Sequence, residues 1–216
     1  MLKATNIKKK YGELEILKGI SLEVQRGEVV SIVGSSGAGK TTLLQILGTL
    51  DKQDEGTLII NGAEPGLLAP GQVSKFRNQH IGFIFQFHQL LPEFDAIENI
   101  MIPAMIGGLG KAEAQQKAMH LLSLVGLENR SNHRPNELSG GEQQRIAVCR
   151  ALINQPKIVF ADEPSGNLDS NNAAELHDLF FKLREEMNQT FVIVTHNQIL
   201  AKQADRMLEM RDGLFI

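Results

Sequence analysis

The sequence predicts an α/β fold: a mainly parallel sheet with helices on both faces, plus an inserted helical subdomain. Three observations predict it. Short apolar, β-branched runs alternate with runs of helical periodicity, the pattern of strands joined by crossover helices. A glycine-rich loop from Gly34 to Thr42 sits between one such strand and one such helix. No strand is apparent between Gln86 and Lys157.

The elements follow in order. Leu2 to Ile7 reads as a first strand, Tyr11-Gly12 as a turn, and Leu17 to Val24 as a second strand. Arg26-Gly27 turns the chain into a buried strand, Val29 to Val33, and Leu43 to Leu47 reads as the helix beyond the loop. Thr57 to Ile60 is a short strand closed by Asn61-Gly62, a turn signal. Ala63 to Gly71 reads as a loop, Gln72 to Asn78 as a short helix, and Ile81 to Phe85 as a buried strand ending at Gln86. Phe87 to Pro92 is a loop. Ala96 to Ile106 and Lys111 to Val125 have helical periodicity, the second closed by Gly126. A polar linker, Asn129 to Pro135, precedes a helix over Gly141 to Ile153. Lys157 to Glu163 is a strand ending in two acids. Asn171 to Asn188 is an amphipathic helix with Leu176, Leu179, Phe180, Leu183 and Met187 on one face. Thr190 to Val194 is a strand capped by Thr195-His196, and a short helix and a β segment, Arg206 to Ile216, complete the pattern.

Composition narrows the function. With 216 residues, one domain is expected, and 42% hydrophobic residues supply a sizeable core. The net charge is -3 and the longest basic run is Lys8-Lys9-Lys10, so no nucleic-acid partner is expected. That triplet reads as a solvated strand end. The single cysteine, Cys149, reads as a small core residue and excludes an internal disulfide. No signal-peptide pattern opens the sequence and no apolar run approaches 18 residues, so the chain is not expected to cross a membrane by itself.

Three motifs carry chemistry. Gly34-Ser35-Ser36-Gly37-Ala38-Gly39-Lys40-Thr41-Thr42 fits the phosphate-binding pattern Gly-x-x-x-x-Gly-Lys-[Ser/Thr]. Glycines let successive N–H groups curl around an anion at the positive end of a helix. Lys40 would reach the β- and γ-phosphates and the Thr41 hydroxyl would bind Mg²⁺. In the strand from Ile158 to Glu163, Asp162 would hold Mg²⁺ and Glu163 would polarise the attacking water. Leu138-Ser139-Gly140-Gly141-Glu142 opens a helix and makes a second anion-binding N-terminus. One chain with two such elements is explained if the second serves a nucleotide held by another subunit. Tyr11 is the only tyrosine; on its own it reads as a turn residue packing locally or as an aromatic stacking on a purine. His196 alone reads as a structural histidine.

With these motifs in this order, the sequence resembles the nucleotide-binding subunits of ATP-binding cassette (ABC) transporters over nearly its whole length. Leu138 to Glu142 resembles the family signature, with Glu142 where glutamine is commoner. Gln86 resembles the glutamine that links Mg²⁺ and the γ-phosphate to the helical subdomain, Ser165 to Asp169 the D-loop, and His196 the switch histidine. Tyr11 resembles the adenine-stacking aromatic. The resemblance implies a P-loop ATPase core over 1–86 and 157–216, with an antiparallel β part at its N-terminus and a helical subdomain over 87–156. It implies ATP and Mg²⁺ as cofactors, the metal held by Thr41, Gln86 and Asp162. It implies a homodimer with each ATP between the P-loop of one subunit and Ser139, Gly140 and Gly141 of the other. Glu163 would be the general base and His196 a contact to the γ-phosphate. A membrane permease would dock near Gln86, placing the chain peripherally on the cytoplasmic face of the bacterial inner membrane. Phe85 to Phe94 with Ala96 to Ile100 is similar to the lipoprotein-releasing ATPases (the LolD type). Relatives of that subgroup power macrolide-type efflux pumps and the FtsE-type division complex.

Overall fold

The computed structural model describes residues 1–216. Its strands are β1 (Leu2–Tyr11), β2 (Leu14–Val24), β3 (Val29–Val33), β4 (Glu55–Ile60), β5 (Ile81–Ile84), β6 (Ile158–Asp162), β7 (Thr190–Val194), β8 (Arg206–Arg211) and β9 (Leu214–Phe215). Its helices are α1 (Lys40–Leu47), α2 (Pro70–His80), α3 (Ala96–Ile106), α4 (Lys111–Leu124), α5 (Gly140–Leu152), α6 (Ser170–Met187) and α7 (Gln198–Gln203). Six strands form one sheet in the order β5-β6-β7-β3-β8-β9. All its pairings are parallel except β8 with β9. A second, antiparallel sheet runs β2-β1-β4.

The two-residue period of the central strands sorts their side chains onto two cores. Val30, Ile32, Ile158, Phe160, Val192 and Val194 face a cluster shared with α1 and the antiparallel sheet. The alternate residues Val29, Val159, Ala161, Phe191 and Ile193 face a cluster shared with α3, α4, α5 and α6. Both faces of β3 and β7 are therefore buried along their whole length. In α6, Leu176, Leu179, Phe180 and Leu183 form the buried stripe that their spacing predicts. Each stabilises the fold by roughly 1.5–3 kcal/mol on burial. Met187, the last residue of the helix, stays 36% exposed. Cys149 is buried, and burial pushes its thiol up to about 12.

Four expectations are corrected. β1 runs four residues beyond Ile7, because β2 pairs with it as far as Tyr11↔Leu14. The lysine triplet thus lies within a strand, and Lys9 is not solvated: it is 8% exposed and ion-paired with Asp51 at 2.9 Å. Helix α2 starts at Pro70 and runs to His80, longer at both ends than Gln72 to Asn78. Proline at the first position costs no hydrogen bond there, and Gln72 Oε1 accepts from the Ala69 N–H at 3.1 Å. The loop from Ala63 to Gly71 contains a 3₁₀ turn at Pro65–Leu67.

Candidate active site

In a parallel sheet every strand delivers the residue after its C-terminal end to the same edge. Here β3 is followed by the glycine-rich loop, β5 by Phe85-Gln86, β6 ends at Asp162 and is followed by Glu163, and β7 is followed by Thr195-His196. These strands are adjacent in the sheet, apart from β8 and β9 at its far side. Sequence segments more than a hundred residues apart therefore meet in one cleft of about 520 Å³.

The cleft is lined by Gly34, Ser36, Gly37, Gly39, Lys40, Thr41 and Thr42, and by Gln86, Glu163 and His196. Helix α1 opens at its floor. Its N-cap is Gly39 in a left-handed conformation (φ 99°), with no side chain capping the helix and no acid in the first turn. The first N–H groups of α1 and its dipole are left for an anion. A Cβ at Gly39 would also press on Met210, Leu17 and the Ile16 carbonyl. Lys40 Nζ donates to the carbonyl oxygens of Gly34 and Ser35, both at 2.9 Å, which holds the ammonium against the loop.

The two acids differ in setting. The Thr41 hydroxyl donates to Asp162 Oδ1 at 3.3 Å. Burial raises the Asp162 carboxyl above the ordinary range, with the Thr41 hydroxyl pulling the other way. Glu163 lies in a left-handed conformation (φ 46°), unusual for a residue with a side chain. Its N–H is anchored by the Val194 carbonyl at 2.9 Å. One carboxylate oxygen, Oε2, accepts from the His196 backbone N–H at 3.1 Å and lies 2.8 Å from His196 Nδ1. The His196 side chain is otherwise largely exposed. Thus β6 and β7 fasten the acid and the histidine to each other.

Gln86 is held by Asn167. Its side-chain amide donates to Asn167 Oδ1, and the Asn167 amide donates back to the Gln86 carbonyl, both at 3.2 Å. Seven of the residues named from sequence do not line the cleft: Tyr11, Ser35, Ala38, Asp162, Ser139, Gly140 and Gly141. Asp162 touches it through Thr41. Ser139 caps α5, accepting from the Glu142 N–H at 3.2 Å, while Glu142 Oε2 accepts from the Ser139 N–H at 2.8 Å. Glutamine could make the same cap. The partner that favours an acid is Arg130, whose Nε donates to Glu142 Oε1 at 3.0 Å. The Ser139 N–H bond, with this ion pair, holds the carboxyl below its ordinary range. Ser139 and Gly140 are exposed, and Gly141 packs so closely on Asn172 that a Cβ would meet its Oδ1 at 2.1 Å.

The family model described as "ABC transporter" matches residues 17–166. The chain belongs to the ABC transporter ATPase family. It is 59% identical over its whole length to the Lipoprotein-releasing system ATP-binding protein LolD of Bacteroides fragilis, covering all of that protein. It is 61% identical to the protein of the same name from Cytophaga hutchinsonii, covering 99% of it. Among solved structures, it matches the dimeric post-hydrolysis state of the ATP-binding cassette MJ0796 bound to ADP and Pi. That match has a TM-score of 0.90 at 39% identity, covering all of this chain and 96% of the other. This ABC ATPase is thus the ATP-binding subunit of a transporter.

Sequence reasoning missed several residues that shape the cassette's cleft. Ile16 enters from β2 and Val194 from β7. Asn167 holds Gln86. No helix is long and apolar enough to cross a membrane.

Proposed function

We propose that this chain is the ATP-hydrolysing subunit of a transporter that releases lipoproteins from the bacterial inner membrane. It would work peripherally on the cytoplasmic face. One observation carries the reading: full-length identity of 59–61% to proteins named for lipoprotein release, with all parts of the cassette present.

The residues supply the mechanism. The amides of Gly34 to Thr42 and the Lys40 ammonium bind the β- and γ-phosphates of ATP. Tyr11 stacks on the adenine. Thr41, Gln86 and Asp162 offer a hydroxyl, an amide and a carboxylate, hard oxygen donors that fit Mg²⁺, and Thr41 and Asp162 already stand 3.3 Å apart. When bound, Mg²⁺ neutralises charge on the triphosphate. Glu163 accepts a proton from the attacking water as the water oxygen bonds to the γ-phosphorus. The bond to the β–γ bridging oxygen then breaks and ADP leaves with phosphate. His196 orients Glu163 and contacts the γ-phosphate. A second copy supplies Ser139, Gly140 and Gly141 across a head-to-tail homodimer; that solved cassettes of the same fold are dimeric supports the pairing of two copies.

Residues 1–86 and 157–216 act as the ATPase core and 87–156 as a helical subdomain. Gln86 joins the two, and a membrane permease docks beside it. The test is a native pull-down of tagged Glu163→Gln chain with ATP and Mg²⁺ from its host's membranes. A pair of permeases carrying lipoprotein is the expected result. One kind of permease with an efflux adaptor, or a division complex, would replace the lipoprotein reading. Ribosomes or DNA-repair factors without a membrane protein would overturn the transporter reading.

A further inference from the structure

Tyr11 ends β1 with half of its surface exposed, and its hydroxyl is not free. It donates to Asp51 Oδ2 at 2.6 Å. The other oxygen, Asp51 Oδ1, accepts from Lys9 Nζ at 2.9 Å and from the Lys52 N–H at 2.6 Å. Lys9 Nζ also donates to the Lys52 carbonyl at 2.6 Å. Ammonium, carboxylate and phenol therefore form one chain of charge-assisted hydrogen bonds.

Its geometry exceeds what a staple between β1 and the loop joining α1 to β4 needs. Lys9 and Tyr11 are two residues apart on one strand, so their side chains share a face. The Lys9 ammonium lies 5.2 Å from the centroid of the Tyr11 ring, over one of its faces. Asp51 lies in the turn after α1, where the N–H groups of Leu50 and Asp51 both bond the Gln45 carbonyl. The ring is thus tied to the C-terminal end of the helix whose N-terminus carries Lys40. Burying an ammonium costs free energy unless it is paired, and here the pair spends one carboxylate oxygen on the phenol.

We infer that Asp51 and Lys9 are positioning residues for the nucleotide base, holding the Tyr11 ring so that a purine stacks on the face opposite the Lys9 ammonium. The inference rests on the reading of Tyr11 as the base platform. Freed from Asp51, the ring must be immobilised at each binding event, and affinity falls while the chemistry is untouched.

The chain has one tyrosine and no tryptophan, so tyrosine emission and the alkaline phenol titration both report on Tyr11 alone. The Asp51 hydrogen bond is the main cause that raises the Tyr11 phenol above its ordinary value. In the full-length chain, Asp51→Asn should lower the alkaline titration midpoint and brighten the emission before nucleotide is added. ADP should quench wild-type emission. Asp51→Asn and Tyr11→Phe should each raise KM for ATP about three- to tenfold, with kcat within about twofold, and the double variant should be no worse than either. Unchanged emission and titration in Asp51→Asn, or effects on KM that add, would overturn the tether. ADP leaving wild-type emission unchanged would instead overturn the platform reading of Tyr11, and the inference with it.

Discussion

Glu163 occupies a position that opposes its own backbone. A left-handed φ of 46° is disfavoured for a residue with a side chain, yet it turns the carboxylate from the end of β6 towards His196. Its Oε2 is committed to His196, through the backbone N–H and Nδ1, and Oε1 makes no hydrogen bond within the chain. Glutamine in its place keeps an acceptor for the His196 N–H but cannot take a proton. Glu163→Gln should therefore bind ATP as the wild type does while phosphate release falls at least about 100-fold. Equilibrium nucleotide binding and a phosphate-release assay check this. Turnover within tenfold of wild type would move the base to another residue. Lys40 acts on both ground and transition state, so Lys40→Ala should weaken binding and turnover together.

Among the elements, the loop after Gln86 depends on one buried side chain. Asn99 Nδ2 donates to the carbonyls of Leu91, Phe94 and Asp95, and its Oδ1 accepts from the Leu91 N–H, at 2.8–3.1 Å. Asn99→Leu would leave the Leu91 N–H and the Phe94 carbonyl without their partner, while the Leu91 and Asp95 carbonyls keep the backbone N–H groups of Phe94 and Asn99. A loss of about 1–3 kcal/mol follows, read as a fall in Tm of roughly 2–4 °C per kcal/mol. An unchanged Tm would mean that water replaces the amide. The loop of Ser165 to Asp169 is tied to α6 by His177, whose Nε2 lies 3.0 Å from Ser165 Oγ. Burial lowers the His177 pKa below 6.5, against a weaker upward pull from Asp178. A lowered imidazole binds its proton less well folded than unfolded. Its contribution is fully present above pH 6.5 and is lost as pH falls through the folded value, at most about 1.4 kcal/mol per pH unit. His177→Gln should flatten denaturant midpoints between pH 7 and 5. A slope equal to wild type would assign the acid sensitivity to other groups, His80 among them, whose pKa burial also lowers. These two supports mark the limit of what was legible. Lys40, Asp162 and Glu163 stood out because their chemistry comes at fixed places beside strand ends. Asn99, Asp51 and His177 did not, because an asparagine on an apolar helix or an acid in a turn has no signal until the fold supplies its partners. The same holds for Lys9, a lysine within a basic triplet that only β1–β2 pairing and Asp51 reveal as buried.

At the scale of the whole molecule, one feature calls for a second copy. Ser139 and Gly140 present an exposed helix N-terminus that does not line the chain's own phosphate cleft. If each composite site joins Lys40 of one subunit to Ser139 of the other, Ser139→Arg and Lys40→Ala homodimers both lack an intact site. A mixed dimer differs. The Ser139→Arg subunit still offers Lys40, the Lys40→Ala subunit still offers Ser139, and these meet at one site while both lesions collect at the other. Equal mixing makes half the dimers mixed, and each has one of two sites intact, so about a quarter of wild-type turnover should return if sites fire independently. If both sites must fire together, turnover stays absent. The Glu163→Gln background then decides, because an intact composite site still traps ATP without hydrolysing it. Gel filtration of the mixed chains with ATP should show a dimer retaining one nucleotide. A persistent monomer with no trapped nucleotide, beside a Glu163→Gln control that does dimerise, would show that Ser139 acts within its own chain and would sink the head-to-tail pairing.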